Sequence, residues 1–233
     1  MDASKNIYSV EHFEFEFHKV SKLILRSYNE IVKNEQFVYT KIKNKYWVVL
    51  ENGKEKPEEY IRNVFLDKKY MQNQKLKRKY EVNDLEFKSE VGENKDRKTI
   101  GSHDIQVLGL AQKLYGEADE DIYFSIECKR LNGIGQSPEK YVNEGIVRYT
   151  TKRYSEIMPL AGMIAFIEDN TYNYPNEIDE ILKNHKSIST TQYLTIKSTN
   201  IHNSKHLKES SNKSIILYHF FFDFINNIER IDR

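Results

Sequence analysis

The stretch Asp121-Ile-Tyr-Phe-Ser-Ile-Glu-Cys-Lys129 decides the fold of this chain. Successive side chains of a β-strand point to opposite faces, so these residues divide into two sets. One set is wholly apolar and consists of Ile122, Phe124, Ile126 and Cys128. The other set is Tyr123, Ser125, Glu127 and Lys129. The pattern predicts a strand with one face in the core, at whose end a carboxylate and an ammonium project together.

A second carboxylate is expected to meet this pair. Asp104 belongs to a neighbouring predicted strand over residues 100–110, which a polar hairpin at 116–119 joins to the first. Two carboxylates at short range stay ionised together only when a cation lies between them. Oxygen ligands suit Mg²⁺ or Mn²⁺, and Lys129 on the same face would stabilise charge on a phosphate. The three side chains therefore predict a metal-dependent site for phosphodiester hydrolysis.

The remaining periodicities predict an α/β fold in which helices cover a mixed sheet. Helices are predicted from Val20 to Ile31, from Pro57 onward, and over 137–151 and 176–185. Strands are predicted over 37–42, 46–50, 80–89, 100–110, 121–131, 160–167 and 192–197. Phe13, Phe15 and Phe17 alternate with acidic residues, which indicates a short strand or packing at the entry of the first helix. Residues 198–214 are predicted to form a polar loop, and a final apolar strand to run into a helix ending near Arg233.

Composition bounds the possible classes of protein. The 233 residues are 39% hydrophobic and 12% aromatic, which is enough for a sizeable core and excludes a disordered chain. The single cysteine, Cys128, excludes a disulfide framework and fits a cytoplasmic location. No apolar run is long enough to cross a membrane, and the first residues lack the pattern of a signal peptide. The net charge of +1 means that a nucleic-acid surface would have to come from local basic clusters.

Two segments together resemble a known family. Gly101-Ser-His-Asp104 followed by Ile126-Glu-Cys-Lys-Arg130 is similar to the motif of the PD-(D/E)xK nuclease superfamily, which has the restriction-endonuclease-like fold. His103 stands where the superfamily usually has a proline. The resemblance covers roughly residues 57–233, which leaves 1–56 as a helix-and-hairpin α+β extension. It implies that Asp104 and Glu127 ligate the metal with the backbone carbonyl of Cys128, and that Lys129 assists hydrolysis.

The resemblance also implies further site residues. A third acidic ligand is expected from Glu59, Glu86 or Glu90, of which Glu90 is the first choice because it lies nearest a strand end. The superfamily often places polar or basic side chains beside the phosphate on the helix after the motif. The candidates for nucleic-acid contact are Gln136, Tyr141, Arg148, Arg130 and Lys152. A further basic cluster consists of Lys75, Lys77, Arg78 and Lys79.

Alternatives accompany each of these interpretations. Glu-x-Lys occurs three times, at Glu86, Glu93 and Glu127, and the third instance could be a surface ion pair between strands. Tyr141 could be a core residue, and the lysine-rich runs could be solvated surface. His202-x3-His206 has a spacing that would allow metal binding on a helix, but it lacks the carboxylate of a zinc-protease motif.

The sequence therefore predicts a nuclease that uses Mg²⁺ or Mn²⁺ and hydrolyses DNA, with RNA as a second possibility. A looser resemblance, over Asn143–Tyr149 and Leu160–Phe166, is to bacterial nuclease-like proteins, some of which act in phage defence. A partner protein or a homodimer is expected, and no membrane. The alternative is a nuclease-like binding or interaction subunit that does not cut.

Overall fold

The computed structural model describes residues 10–95, 98–115, 122–133, 135–151, 158–209, 211 and 213–232. For residues 90–95, 98–102 and 115 the description covers the backbone only. The helices are α1 (Val10–Asn34), α2 (Pro57–Phe65), α3 (Gln74–Lys79), α4 (Leu110–Tyr115), α5 (Pro138–Tyr141), α6 (Val147–Thr150) and α7 (Tyr174–Asn184). A π-helical turn, Val142–Ile146, joins α5 to α6, and a 3₁₀ turn spans Ile225–Asn227.

The strands form two sheets. They are β1 (Phe37–Ile42), β2 (Lys45–Leu50), β3 (Gly53–Glu55), β4 (Glu86–Lys95), β5 (Lys98–Leu108), β6 (Phe124–Leu131), β7 (Leu160–Ile167), β8 (Thr190–Ser198), β9 (Ile201–Leu207), β10 (Ser214–Asp223) and β11 (Ile228–Asp232). The large sheet has the order β4-β5-β6-β7-β10-β9-β8, and the small sheet has the order β11-β1-β2-β3. The chain therefore has an α/β architecture with mixed sheets flanked by helices.

The large sheet changes strand direction at its centre. Strands β4, β5 and β6 are antiparallel, whereas β6, β7 and β10 run parallel to one another. The parallel strands are covered on both faces, and their sequences are accordingly almost continuous runs of apolar residues. Every residue of β7 except Ile167 is buried. Such strands hold neighbouring side chains in fixed positions, which suits a site at their edge.

Two layers of helices cover the large sheet. On one face, Phe17 of α1 packs edge-on against Phe124 with ring centroids 5.0 Å apart. On the same face, Phe65 of α2 stacks on Phe222. On the other face, α5, the π turn and α7 bury an apolar cluster around Met163. The apolar cluster on the face covered by α1 and α2 contains side chains from both sides of residue 56. The predicted domain boundary at that residue stays a prediction.

A buried carboxylate joins the small sheet to the large one. Glu168 follows β7, and its side chain has no exposed surface. It pairs with Arg130 of β6 at 2.5 Å and with Arg230 of β11 at 3.2 Å, and it accepts hydrogen bonds from Tyr39 of β1 and Asn132. Both guanidinium groups lie over the Tyr39 ring. Four strands from distant parts of the chain are thereby held around one charge.

Most of the predicted elements are confirmed. The hairpin is formed by β1 and β2, whose turn residues Lys43 and Asn44 have positive φ as two-residue hairpin loops require. Pro57 begins α2, and β7 has the predicted bounds. The segment from Pro138 to Thr150 is helical, and the strands containing Asp104 and Glu127 are adjacent and antiparallel. The predicted loop at 116–119 lies outside the described residues.

Four predictions of elements need correction. Of the two alternatives for the alternating phenylalanines, the short strand is wrong: they belong to α1, where Phe13 and Phe17 are buried one turn apart, as the packing alternative expects, and Phe15 is exposed. The strand predicted over 80–89 begins at Glu86, after a turn in which Glu81 has positive φ. The predicted polar loop contains β9, whose inward residues include Ser204 and His206. The C-terminus ends in β11 and not in a helix, because residues 228–232 pair with β1.

β9 was not predicted as a strand because its buried side chains are polar. These side chains form hydrogen bonds with one another inside the protein. Ser204 bonds to both His206 and His219, and His219 in turn bonds to the Tyr141 hydroxyl at 2.9 Å. Burial lowers the pKa of His206 to about 4 and lowers that of His219 well below its usual range. The helical spacing considered for His202 and His206 does not apply, since both residues lie on a strand.

Among the described residues, no helix has both the length and the apolar character that crossing a membrane requires.

Candidate active site

The site forms where β5 and β6 separate. Their ladder pairs Ile105, Gln106 and Val107 with Ile126, Ser125 and Phe124. Asp104 and Glu127 each lie one residue beyond this ladder. Here α2 approaches from one face of the sheet and α6 from the other, so side chains from both faces meet at the opening.

The ammonium of Lys129 lies at the centre of the site. Its Nζ is 2.7 Å from Oε1 of Glu127 and 3.0 Å from the backbone carbonyl of Cys128. Oδ2 of Asp104 is 3.7 Å from the same Nζ, and Oε1 of Glu58 is 3.8 Å away. Three carboxylates and one carbonyl thus face a single cation, and Lys129 itself is only 7% exposed.

Asp104 is fixed by two donors. The backbone N–H of Cys128 donates to Oδ2 at 2.8 Å, and Nη1 of Arg62 donates to Oδ1 at 3.1 Å. These bonds hold the carboxylate against the end of β6. The structure therefore brings Asp104, Glu127 and Lys129 together.

Glu58 is the acidic residue that sequence reasoning missed. It lies in the first turn of α2, where Pro57 starts the helix, and it accepts a hydrogen bond from the backbone of Arg130 at 3.1 Å. Residues four apart share a helix face, so Glu58 and Arg62 reach the site together. The signal was available, because the buried Ile61 and Phe65 mark the inward face of this helix and Arg62 adjoins it.

The other acidic candidates lie elsewhere or outside the described side chains. Glu59 points away from the site and pairs with Lys56 at 2.7 Å. Glu86 forms an exposed ion pair with Lys88 at 3.3 Å. Glu90 is part of β4, but its side chain is outside the description. Among the described carboxylates, Glu58 takes the position for which a third acidic residue was sought.

Arg148 reaches Glu127 from the helical side. Its Nη1 lies 2.5 Å from Oε1 of Glu127, and 29% of its side chain remains exposed. It is carried by α6, directly after the π turn, and such turns are frequent at functional sites. Gly145 in that turn allows close packing, because a Cβ there would overlap the end of the Met163 side chain and contact Lys129.

The remaining predicted contact residues are not gathered at the site. Tyr141 is 1% exposed and belongs to the core beside His219, so the expectation that it contacts nucleic acid is corrected. Arg130 is next to the site, but its guanidinium is engaged by Glu168. Gln136 is half-buried, and its backbone carbonyl bonds to Asn132. Lys152 lies outside the described residues.

The basic run at 75–79 is also partly structural. Lys77 is buried and donates to the carbonyl of Leu85 at 2.6 Å, with its ammonium over the Phe87 ring. Of the four basic residues in this run, only Lys75, Arg78 and Lys79 therefore have a charge available to a ligand.

Burial and charge oppose each other at the site. Burial raises the pKa of Glu127, and Asp104 raises it further, while Lys129 and Arg148 lower it. Burial likewise raises the pKa of Glu58 against the effect of Lys129. Burial on its own lowers the pKa of Lys129, but the three carboxylates outweigh it and raise that pKa above its usual value. The ammonium is therefore held in its charged form.

Cys128 has the structural role expected for a lone buried cysteine. It has no exposed surface, and burial raises the pKa of its thiol well above the usual range, so the thiolate form is suppressed. The backbone of Cys128, and not its side chain, contributes to the site. Its N–H donates a hydrogen bond to Asp104, and its carbonyl accepts one from Lys129.

The donor atoms of the site are of the chemical type that a hard divalent cation prefers. Oxygen is the only donor element that Glu58, Asp104, Glu127 and the Cys128 carbonyl offer, which matches the preference of Mg²⁺ or Mn²⁺. As they stand, no three His, Cys, Asp or Glu side chains in the described part of the chain are grouped closely enough to hold a metal. The carboxylates are arranged around an ammonium.

Comparison of the chain with known protein families, with curated proteins and with solved structures finds no match. The functional argument therefore depends on the residues and their geometry.

Proposed function

We propose that the protein is a metal-dependent nuclease of the PD-(D/E)xK type. The observation that carries this proposal is the convergence of Asp104, Glu127, Lys129 and Glu58 at the opening between β5 and β6. The elements around the site follow one another as α2, α3, β4, β5, α4, β6, the helical segment α5 to α6, and β7; β4 to β6 are antiparallel, and β7 is parallel to β6. That order supports the restriction-endonuclease-like fold expected from the motif.

In this proposal Asp104 and Glu127 hold Mg²⁺ or Mn²⁺, with the Cys128 carbonyl and Glu58 as further ligands. When bound, the metal would lower the pKa of a water and offset phosphate charge. Lys129 would stabilise charge that develops on the phosphate, as its position among the carboxylates allows. Arg148 is the more exposed cation and would contact the phosphate from the α6 side.

A second function is favoured by the charge balance of the site. Three carboxylates face three cations, Lys129, Arg62 and Arg148, so the cluster is formally neutral without a metal. Such a cluster would also suit a nuclease-like subunit that binds without cutting. Cytoplasmic location, a role in phage defence and a protein partner or homodimer remain predictions of the sequence.

A cleavage assay with a matched control tests the proposal. Plasmid DNA, single-stranded DNA and RNA are incubated with wild type, Glu127→Ala, Asp104→Ala and Glu86→Ala in Mg²⁺, Mn²⁺, Ca²⁺ or chelator. Glu86 is the control because it has the same Glu-x-Lys spacing in an exposed ion pair. We expect wild type and Glu86→Ala to cut with Mg²⁺ or Mn²⁺, and the two site variants to lose at least about 100-fold in rate.

Equal metal-dependent cutting by Glu127→Ala and wild type would show that the activity lies elsewhere. Absence of cutting by the wild type on every substrate would favour the non-cutting subunit.

A further inference from the structure

The small sheet has a second surface that the site does not use. Its inner face is buried through Tyr39 and Val48. Strand alternation places Trp47 and Val49 on the opposite face, and Lys54 of β3 joins them there because it pairs with Val49. We name the face formed by Val38, Lys45, Trp47, Val49 and Lys54 the outer face.

The outer face combines an aromatic ring, apolar side chains and available positive charge. The Lys54 ammonium lies 4.2 Å from the centroid of the Trp47 ring. Val49 is 54% exposed and Val38 is 39% exposed, which is unusual for apolar residues at the centre of a sheet.

The lysines of the outer face are not neutralised. In the described part of the chain, Lys45 and Lys54 have no ion-pair partner, and the same holds for Lys43 at the hairpin tip. Lys41 points to the other face and pairs with Asp232 at 3.7 Å. The outer face also carries the exposed Glu229 of β11, which is paired with Val38, so two lysines oppose one carboxylate among the described residues on the side that carries Trp47.

The outer face is rigidly linked to the site. Strand β3 ends at Glu55, only two residues before the start of α2, which carries Glu58 and Arg62. Glu168 binds Tyr39 of β1 and Arg130 of β6 at the same time, and Arg130 is the residue after Lys129. The small sheet that carries the outer face is therefore anchored to the strand that carries Lys129.

We propose that the outer face binds a single strand of nucleic acid. The Lys54 ammonium, which lies over the Trp47 ring, would move onto a phosphate and free the ring for an unpaired base, and Lys45 would contact a second phosphate. Aromatic stacking combined with phosphate contacts is how sequence-tolerant single-strand sites are built. Trp47 is half-buried, and the bases of a duplex are already stacked on one another, so its ring favours unpaired bases. This inference rests on the proposed nuclease function, whose substrate it narrows to a nucleic acid with a single-stranded segment.

The test measures binding without catalysis. A fluorescein-labelled 20-mer of thymidine is titrated with the full chain in chelator, and anisotropy is followed for wild type, Trp47→Ala, Trp47→Phe and Lys54→Ala. Phe15→Ala is the matched control, because Phe15 on α1 also lies under a lysine, Lys19, at 4.3 Å. That lysine is already paired with Glu16 and Glu81.

We expect Trp47→Ala to weaken binding at least about fivefold and Trp47→Phe to retain most of the affinity, since either ring can stack. Lys54→Ala should reduce the slope of log affinity against log salt by about 0.7, the value for one phosphate contact on a single strand. Phe15→Ala should bind as the wild type does.

Several results would overturn the inference. These are no binding of the 20-mer by wild type, equal affinities for Trp47→Ala and Phe15→Ala, or tighter binding of a blunt duplex through Trp47. A wild-type dimer that Trp47→Ala converts to monomer, with oligonucleotide binding unchanged, would assign the face to self-association. Its failure is separable from failure of the proposed function, because cutting depends on Glu127 and this binding does not.

Discussion

At the scale of single residues, the Lys129 ammonium occupies the position that a metal cation would take among the oxygens of the site. Its ammonium lies 2.7 Å from Glu127 and within 3.8 Å of both Asp104 and Glu58, so in the described part of the chain it is the one cation that faces all three carboxylates. Removing one partner from a buried ion-pair cluster leaves the others uncompensated, which typically costs about 3–5 kcal/mol. A divalent cation bound by the same oxygens would restore the balance.

Lys129→Met is therefore expected to lower the melting temperature in chelator and to recover it as Mn²⁺ is added. Binding to the folded state raises stability with ligand concentration, so a thermal-shift titration reads metal affinity without any activity. The control is Lys77→Met, which removes another buried lysine that donates to a carbonyl. Equal responses of the two variants to Mn²⁺ would argue against a metal site at Lys129.

The sequence predicted three residues of the site, but it did not predict the third carboxylate, Glu58. Asp104, Glu127 and Lys129 followed from strand alternation and spacing, which are local properties. Glu58 lies 46 positions before Asp104 in the chain, and only the packing of α2 against β6 brings it near. The choice among acidic residues therefore depended on helix phase, and Glu59 differs from Glu58 by one step around that helix.

At the scale of elements, the π turn between α5 and α6 determines the position of Arg148 relative to the site. Gly145 in this turn packs against Met163 and next to Lys129. A methyl group there must displace the end of the Met163 side chain, which is flexible but fully buried. Overpacking of this kind costs about 1–3 kcal/mol, and the better helix propensity of alanine offsets up to about 1 kcal/mol.

We expect Gly145→Ala to destabilise the protein by about 1 kcal/mol in urea denaturation. The cost should shrink when Met163 is also changed to Ala, because the obstructing group is then gone. A double-mutant cycle measures this coupling directly. Strictly additive changes in the free energy of unfolding would show that the two residues do not clash.

Elements with local signals were predicted well, and elements stabilised by distant partners were not. The apolar run of β7 and the proline start of α2 are visible in a few residues. β9 and β11 are not, because β9 is polar on its buried side and β11 exists through its pairing with β1. No pattern within residues 228–232 specifies that partner.

At the scale of the whole molecule, the buried histidines make stability depend on pH. Burial lowers the pKa of His206 to about 4, whereas an unfolded histidine titrates near 6.5. Between these values the unfolded chain binds more protons than the folded one, so stability is full above pH 6.5 and falls toward pH 4. Glu58 and Glu127, whose pKa values are raised, act in the opposite direction, since their contribution is lost as pH rises.

His206→Gln isolates the histidine contribution, because glutamine keeps a hydrogen-bonding group but does not titrate. We expect the wild type to lose roughly 2 kcal/mol more than the variant between pH 7.5 and pH 5. Urea denaturation at several pH values measures the two slopes. Parallel pH profiles would mean that His206 does not carry the difference.

The pairing of β1 with β11 bears on how the protein is made. Phe37 and Ile228 are adjacent in the sheet but about 190 residues apart in the chain. At a synthesis rate of about 5–20 residues per second, the ribosome needs roughly 10–40 s to deliver the second strand after the first. Until then one edge of β1 is open and Arg230 is missing from Glu168. A nascent chain thus already contains Glu58, Asp104, Glu127 and Lys129 while its fold is still incomplete. Any activity that needs the complete fold would begin only after residues 228–232 have been synthesised.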